Sequence, residues 1–96
     1  MSEMIYKYSL DFTNKFKKDV KLANKRNLNL SLLEVAIDIL QREGVLPPEY
    51  KAHPLKGKYN GIMECHIQPD WLLLWKQDNK KLTLLMMSTG THSDMF

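Results

Sequence analysis

The sequence predicts an α+β domain, an antiparallel sheet of about four strands with two N-terminal helices packed on one face. Three observations lead there. Apolar residues recur at helical spacing in two stretches of the first half. They alternate at strand spacing in the second half, and a loop bearing Pro54, Gly57 and Gly61 divides the two regimes. With 96 residues there is room for one hydrophobic core, so residues 1–96 are expected to form a single domain.

Taken in order, Ile5, Tyr6, Tyr8 and Leu10 make a short β-prone opening segment, expected to return and pair with later strands. Phe12, Phe16, Val20 and Ala23 then fall on one face of a helix whose other face carries lysines. Asn27 to Asn29 breaks it. A second helix opens at Leu30 or Ser31, with Leu33, Ile37 and Leu40 on one face and Val35 and Ile39 widening it. Gly44 is its natural C-terminal cap, and Pro47-Pro48 forbids continuation. After the 49–61 loop come strands over Gly61 to Gln68, Trp71 to Lys76 and Leu82 to Met87, joined by turns at Pro69-Asp70 and Asp78-Asn79. The last nine residues, Ser88 to Phe96, read as a small, polar, flexible tail.

Composition removes several function classes. The chain is 44% hydrophobic and 26% charged, the balance of a globular rather than a disordered protein. Its longest apolar run, Trp71 to Trp75, is far short of the roughly 20 residues of a membrane helix. No secretory leader opens it, so the expected location is the cytoplasm. One cysteine, Cys65, excludes an internal disulfide, and three separated histidines make no structural zinc site, so no metal or cofactor is expected. The net charge of +3 is unevenly spread, with Lys15, Lys17, Lys18, Lys21, Lys25 and Arg26 on one helix and Lys51, Lys56 and Lys58 in the loop. Such patches suit an anionic partner, nucleic acid or acidic protein.

All three histidines lie outside the helices: His53 in the loop, His66 near a strand end and His92 in the tail. A hairpin at Pro69-Asp70 would put Glu64, His66, Gln68, Trp71 and Trp75 on one polar-aromatic face, although Pro69 disfavours the primed two-residue turns and leaves the register open. Met63, Cys65, Ile67, Leu72 and Leu74 would then form the apolar face toward the helices. Histidines with a nearby carboxylate, Asp70, and lysines, Lys56 and Lys58, fit RNA cleavage without metal. The 2′-hydroxyl must lose a proton, the 5′-oxygen must gain one, and an anionic phosphorus needs positive charge.

These residues also carry a resemblance. His53-Pro54-Leu55 with Gly57, Glu64-Cys65-His66-Ile67 with Pro69-Asp70-Trp71-Leu72-Leu73, and Thr89-Gly90-Thr91-His92-Ser93-Asp94 with the closing Phe96 resemble the YafQ branch of the RelE/ParE toxins. The basic stretch Lys17-Lys18-Asp19-Val20-Lys21-Leu22-Ala23 fits the same branch. The resemblance implies a RelE-like microbial RNase fold, an mRNA endonuclease acting on the ribosome, and a neutralising antitoxin as partner. It implies His53, His66, Asp70 and His92 as catalytic residues. His66 and His92 would share the acid and base work, and Trp71 and Phe96 would contact a base or wall the site.

Two positions depart from that pattern. Met63 and Ser88 stand where relatives commonly carry arginine, which removes two guanidinium groups suited to a scissile phosphate, and Lys56 or Lys58 are the expected substitutes. Two competing readings stand beside this one, the second from another class. One is a ParE-like inhibitor of DNA gyrase on the same fold, and the other is a ribosome- or RNA-binding module that does not cut.

Overall fold

The structure, a computed structural model, describes residues 5–96. Strand β1 (Ser9–Phe12) is followed by helices α1 (Asn14–Lys25) and α2 (Leu30–Glu43). Strands β2 (His53–Pro54), β3 (Met63–Gln68), β4 (Trp71–Asp78) and β5 (Thr83–Gly90) come next, and a last helical turn, α3 (His92–Met95), closes the chain. The sheet has five strands in the order β1-β5-β4-β3-β2. This corrects the expectation of a four-stranded antiparallel sheet in two ways. The added strand is the two-residue β2, hidden in the proline-bearing loop; proline is tolerated there because β2 is an edge. And β1 pairs with β5 in parallel, Ser9 opposite Thr83. No hairpin joins these two strands, so their relative direction is not fixed by a tight turn.

The opening strand starts later than the apolar pattern suggests. Tyr8 is buried, but its N–H donates to the Gln41 carbonyl at 3.0 Å and its hydroxyl to Asn79 at 2.7 Å, so the ladder begins at Ser9. Thr13 caps α1: its hydroxyl accepts from the Phe16 N–H at 3.0 Å and donates to the Met87 carbonyl at 2.8 Å. Asn29 caps α2 through the Ser31 N–H, and Gly44 ends it in the left-handed conformation at φ 75°. A side chain there would also run into the Tyr8 ring. On α2 the buried residues are Leu33, Ala36 and Leu40, whereas Val35 is exposed to solvent and does not widen the buried face.

The core lies between the two helices and one face of the sheet, built from Phe16, Ala23, Leu33 and Leu40 against Cys65, Trp71, Leu73, Trp75, Leu84 and Met86. Both tryptophans are therefore on the helix side, contrary to the face expected for them. The cause is a bulge in the β3–β4 hairpin. Gln68 lies opposite Trp71, but His66 lies opposite Leu72, so Ile67 is the extra residue. One residue of slip exchanges the two faces of the partner strand. Glu64 and His66 thus share their face with Leu74 and Leu72, and Cys65 shares the core face with Leu73. Cys65 is fully buried, and burial pushes its thiol up to about 12, which makes it packing rather than a nucleophile.

Candidate active site

The sheet face turned away from α1 and α2 carries the chemistry. His53 on edge strand β2 lies opposite Glu64 on β3, and its Nε2 is 3.3 Å from a carboxylate oxygen of that residue. Its Nδ1 is 2.9 Å from the Lys51 carbonyl, presented by a left-handed residue at φ 52°. A carbonyl only accepts, so Nδ1 carries a proton and Nε2 meets the carboxyl group. Glu64 is nearly fully buried, and the His53 ring is what its carboxylate meets across the strand pair.

His66, half-buried on β3, sets its Nδ1 3.3 Å from the Pro69 carbonyl across the hairpin turn. With the proton on Nδ1, its Nε2 keeps a lone pair. The ring of His92, at the first position of α3, lies 6.4 Å from that of His66, close enough for both to reach oxygens of one phosphodiester. Phe96 stands 5.8 Å from His92 and meets Tyr59 edge-on at 5.3 Å. The Lys58 ammonium lies over the Tyr59 ring, 5.2 Å from its centre, and so borders the same wall. Lys56 is exposed on the same loop.

Two residues expected in the site are placed otherwise. Trp71 is buried in the core, its indole N–H donating to Thr89 at 2.8 Å, so it supports the site from beneath and offers no ring face for stacking. Asp70 sits in the exposed turn and makes no hydrogen bond to a histidine among the described residues. The backbone at Pro69, rather than the Asp70 carboxylate, engages His66. Asp70 borders a cavity of about 400 Å³ together with Gln68, Arg26 and Asp94. A larger cavity of about 670 Å³ lies between α1, α2 and β1, away from every histidine.

The tail is regular structure rather than irregular coil. Strand β5 runs to Gly90, and Thr91 then caps α3 with a full capping box. The Thr91 hydroxyl accepts from the Asp94 N–H at 3.2 Å, and Asp94 accepts from the Thr91 N–H at 3.0 Å. Thr91-x-x-Asp94 was a sequence signal for this turn that the polar composition masked. Sequence reasoning also missed Glu64 as a partner of His53, because the pairing depends on a strand only two residues long. Ser88 is buried, and the cation nearest it is Lys15, whose Nζ lies 3.4 Å from its hydroxyl and 2.8 Å from Asp19.

Comparison with known proteins gives a consistent result. The family described as bacterial toxin of type II toxin-antitoxin system, YafQ, matches residues 8–96. The chain is 36% identical over 88 residues to the mRNA interferase toxin YafQ of Escherichia coli strain K12, covering 91% of this chain and 94% of the relative. It superposes on the crystal structure of YafQ from E. coli BL21(DE3) with a TM-score of 0.86 at 33% identity, covering 93% and 98% of the two chains. Against the E. coli DinJ-YafQ toxin-antitoxin complex the TM-score is 0.85 at 34% identity, covering 94% and 98%. With that family matching residues 8–96 and a relative 36% identical over 91% of the chain, the chain belongs to the YafQ family of type II toxins.

Proposed function

We propose that this protein is an mRNA interferase that silences translation by cutting mRNA on the ribosome through metal-independent acid–base catalysis. The observation that carries this reading is the pair His66 and His92, 6.4 Å apart on an accessible surface beside a third histidine. His66, its Nδ1–H turned to the Pro69 carbonyl, takes the proton of the ribose 2′-hydroxyl on Nε2. The 2′-oxygen attacks phosphorus and the P–O5′ bond breaks. His92, entering as imidazolium, returns a proton to the departing 5′-oxygen. The products are a 2′,3′-cyclic phosphate and a 5′-hydroxyl. His53 with Glu64 holds the flank of the site, Phe96 and Tyr59 wall it, and Lys56 and Lys58 meet the RNA backbone. Asp70 is exposed at the turn and, among the described residues, makes no hydrogen bond to a histidine. Trp71 fixes the hairpin from the core.

The site of action would be the cytoplasm, where the ribosomes are; among the described residues no helix is long and apolar enough to cross a membrane. The neutralising partner is an antitoxin, as in the DinJ-YafQ complex of the relative. Lys15 on α1 and Arg26 at its C-cap are occupied by Asp19 and Asp94, and Lys17 and Lys21 line the apolar cavity between the helices. An acidic amphipathic segment of the antitoxin fits that combination.

Cleavage on translating ribosomes, with both product ends mapped, tests the reading. The expected result is 5′-hydroxyl and cyclic or 3′-phosphate ends, persisting in excess chelator with intact ribosomes. Growth arrest without any new RNA ends would instead indicate a non-cutting inhibitor. Activity lost in chelator and regained with a divalent ion would exclude the metal-independent scheme.

A further inference from the structure

We propose that Arg26 is a positioning residue, whose ion pair with Asp94 locks α3 and so sets where His92 and Phe96 stand over the cleavage site. The proposal rests on reading the histidine surface as the RNA-cutting site. A helix of four residues does not hold itself together in water, because it has hardly more than one turn of hydrogen bonds to offset its nucleation cost. The position of α3 must therefore come from what ties it down.

Asp94 is the tie. Its carboxylate closes the cap of α3 by accepting from the Thr91 N–H and, on the outside, receives Arg26 in a fork, Nη1 at 2.7 Å and Nη2 at 3.3 Å. The guanidinium and the cap together hold this carboxyl well below the usual carboxylate range. Gly90 leaves space for the arrangement, since a Cβ there would stand 2.9 Å from the Asp94 carboxylate.

Arg26 is itself on a fixed mount. It follows the last residue of α1, and α1 is anchored to β5 at two earlier points. The Thr13 hydroxyl donates to the Met87 carbonyl, and Asp19 accepts from the Thr89 N–H at 3.2 Å. The ion pair adds a third point of attachment, between the far end of α1 and the element that carries His92. The Phe96 N–H donates to the His92 carbonyl at 2.8 Å, so the two side chains move with α3 as one unit. The pair is half-exposed, with 43% of the arginine and 29% of the aspartate side chain open to solvent. Such pairs contribute little to global stability. Geometry is another matter, since a misplacement of about 1 Å in a reacting group can cost ~100-fold in rate.

The test is single-turnover cleavage of mRNA at saturating ribosome by Arg26→Ala, Asp94→Asn, their double variant and Arg26→Lys, with Tm recorded for each. Both single variants should slow the reaction roughly tenfold with unchanged ribosome affinity, and the double variant should be no slower than either. Arg26→Lys should recover part of the rate. In a His92→Ala background either change should keep only the smaller part of its effect that acts through Phe96. A second readout does not require cleavage: the NMR signals of His92 and Phe96 should shift or broaden in Arg26→Ala while those of His53 stay in place. A full rate in Asp94→Asn, additive losses, or a loss of affinity alone would overturn the proposal, the last by making Arg26 a direct RNA contact. If the parent protein cuts no RNA but the NMR response is present, the clamp stands and the reading of the site fails.

Discussion

His92 and His66 are the residues whose loss should be felt as chemistry. Alanine at either should slow single-turnover cleavage by about 100-fold or more and relieve growth arrest. His92 is exposed, so its alanine variant should melt within a few degrees of the parent; full toxicity in that variant would remove the proton-transfer scheme. Ser88 is the residue whose sequence-based expectation the structure changes. An arginine there would meet not an empty space but the Lys15 ammonium, 3.4 Å from the present hydroxyl. Ser88→Arg alone should therefore leave the single-turnover rate within about twofold of the parent, where an unopposed guanidinium would raise it about tenfold. In a Lys15→Ala background the same change should raise the rate, and a tenfold gain without removing Lys15 would contradict this placement of charge. Met63 behaves as its neighbours in sequence suggested. It packs on the core opposite Trp75, and Met63→Arg should cost about 2 kcal/mol or more by chemical denaturation. The three histidines were legible as residues, from their kind and their place outside the helices. The pairing of His53 with Glu64 and the approach of Lys15 to Ser88 were not, since one depends on strand pairing and the other on helix packing.

At the scale of elements, α3 makes the sharpest prediction about pH. The carboxyl of Asp94 is held below its ordinary value of 3.8, first by the bond from Arg26 and then by the Thr91 backbone. A depressed carboxylate stabilises the fold above its unfolded value, and that contribution disappears as pH falls through the folded one. Asp94→Asn should thus lower Tm slightly at neutral pH, and the difference from the parent should shrink only below about pH 3.8. A difference that vanishes already near pH 6 would mean another group is responsible. Gly90→Ala gives a complementary test, because the added methyl crowds the Asp94 carboxylate. It should disturb α3 without removing any charge, slowing cleavage in the manner of Arg26→Ala. The two long helices were readable in the sequence from their apolar spacing, with caps at Asn29 and Gly44 where expected. The tail was misread because its tether is a residue more than sixty positions away. The hairpin faces were misread because a bulge at Ile67 has no local sequence signature, yet inverts every side chain beyond it.

For the whole molecule, the distribution of charge predicts how the toxin is silenced. With Lys15 and Arg26 paired internally, Lys17, Lys18 and Lys21 remain exposed on α1, and Lys17 and Lys21 line the apolar cavity. Reversing the charge of all three should weaken the antitoxin complex and flatten its dependence on salt, measured by calorimetry across ionic strengths. Unchanged affinity would place the antitoxin on the histidine face. The fold class was legible in the ordering of helical and alternating segments, but the closing of the sheet was not. Parallel pairing of β1 with β5 joins segments that local patterns cannot connect, Ser9 with Thr83.

That pairing has a consequence for when the protein becomes harmful. The first strand finds its neighbour only after β5 has been synthesised, and His92 is built later still. A nascent chain therefore has neither a closed sheet nor a complete set of histidines while its own ribosome is translating it. Contacts this distant in sequence also close slowly. The histidine face is therefore assembled only after the last-made elements, β5 and α3, have joined the sheet.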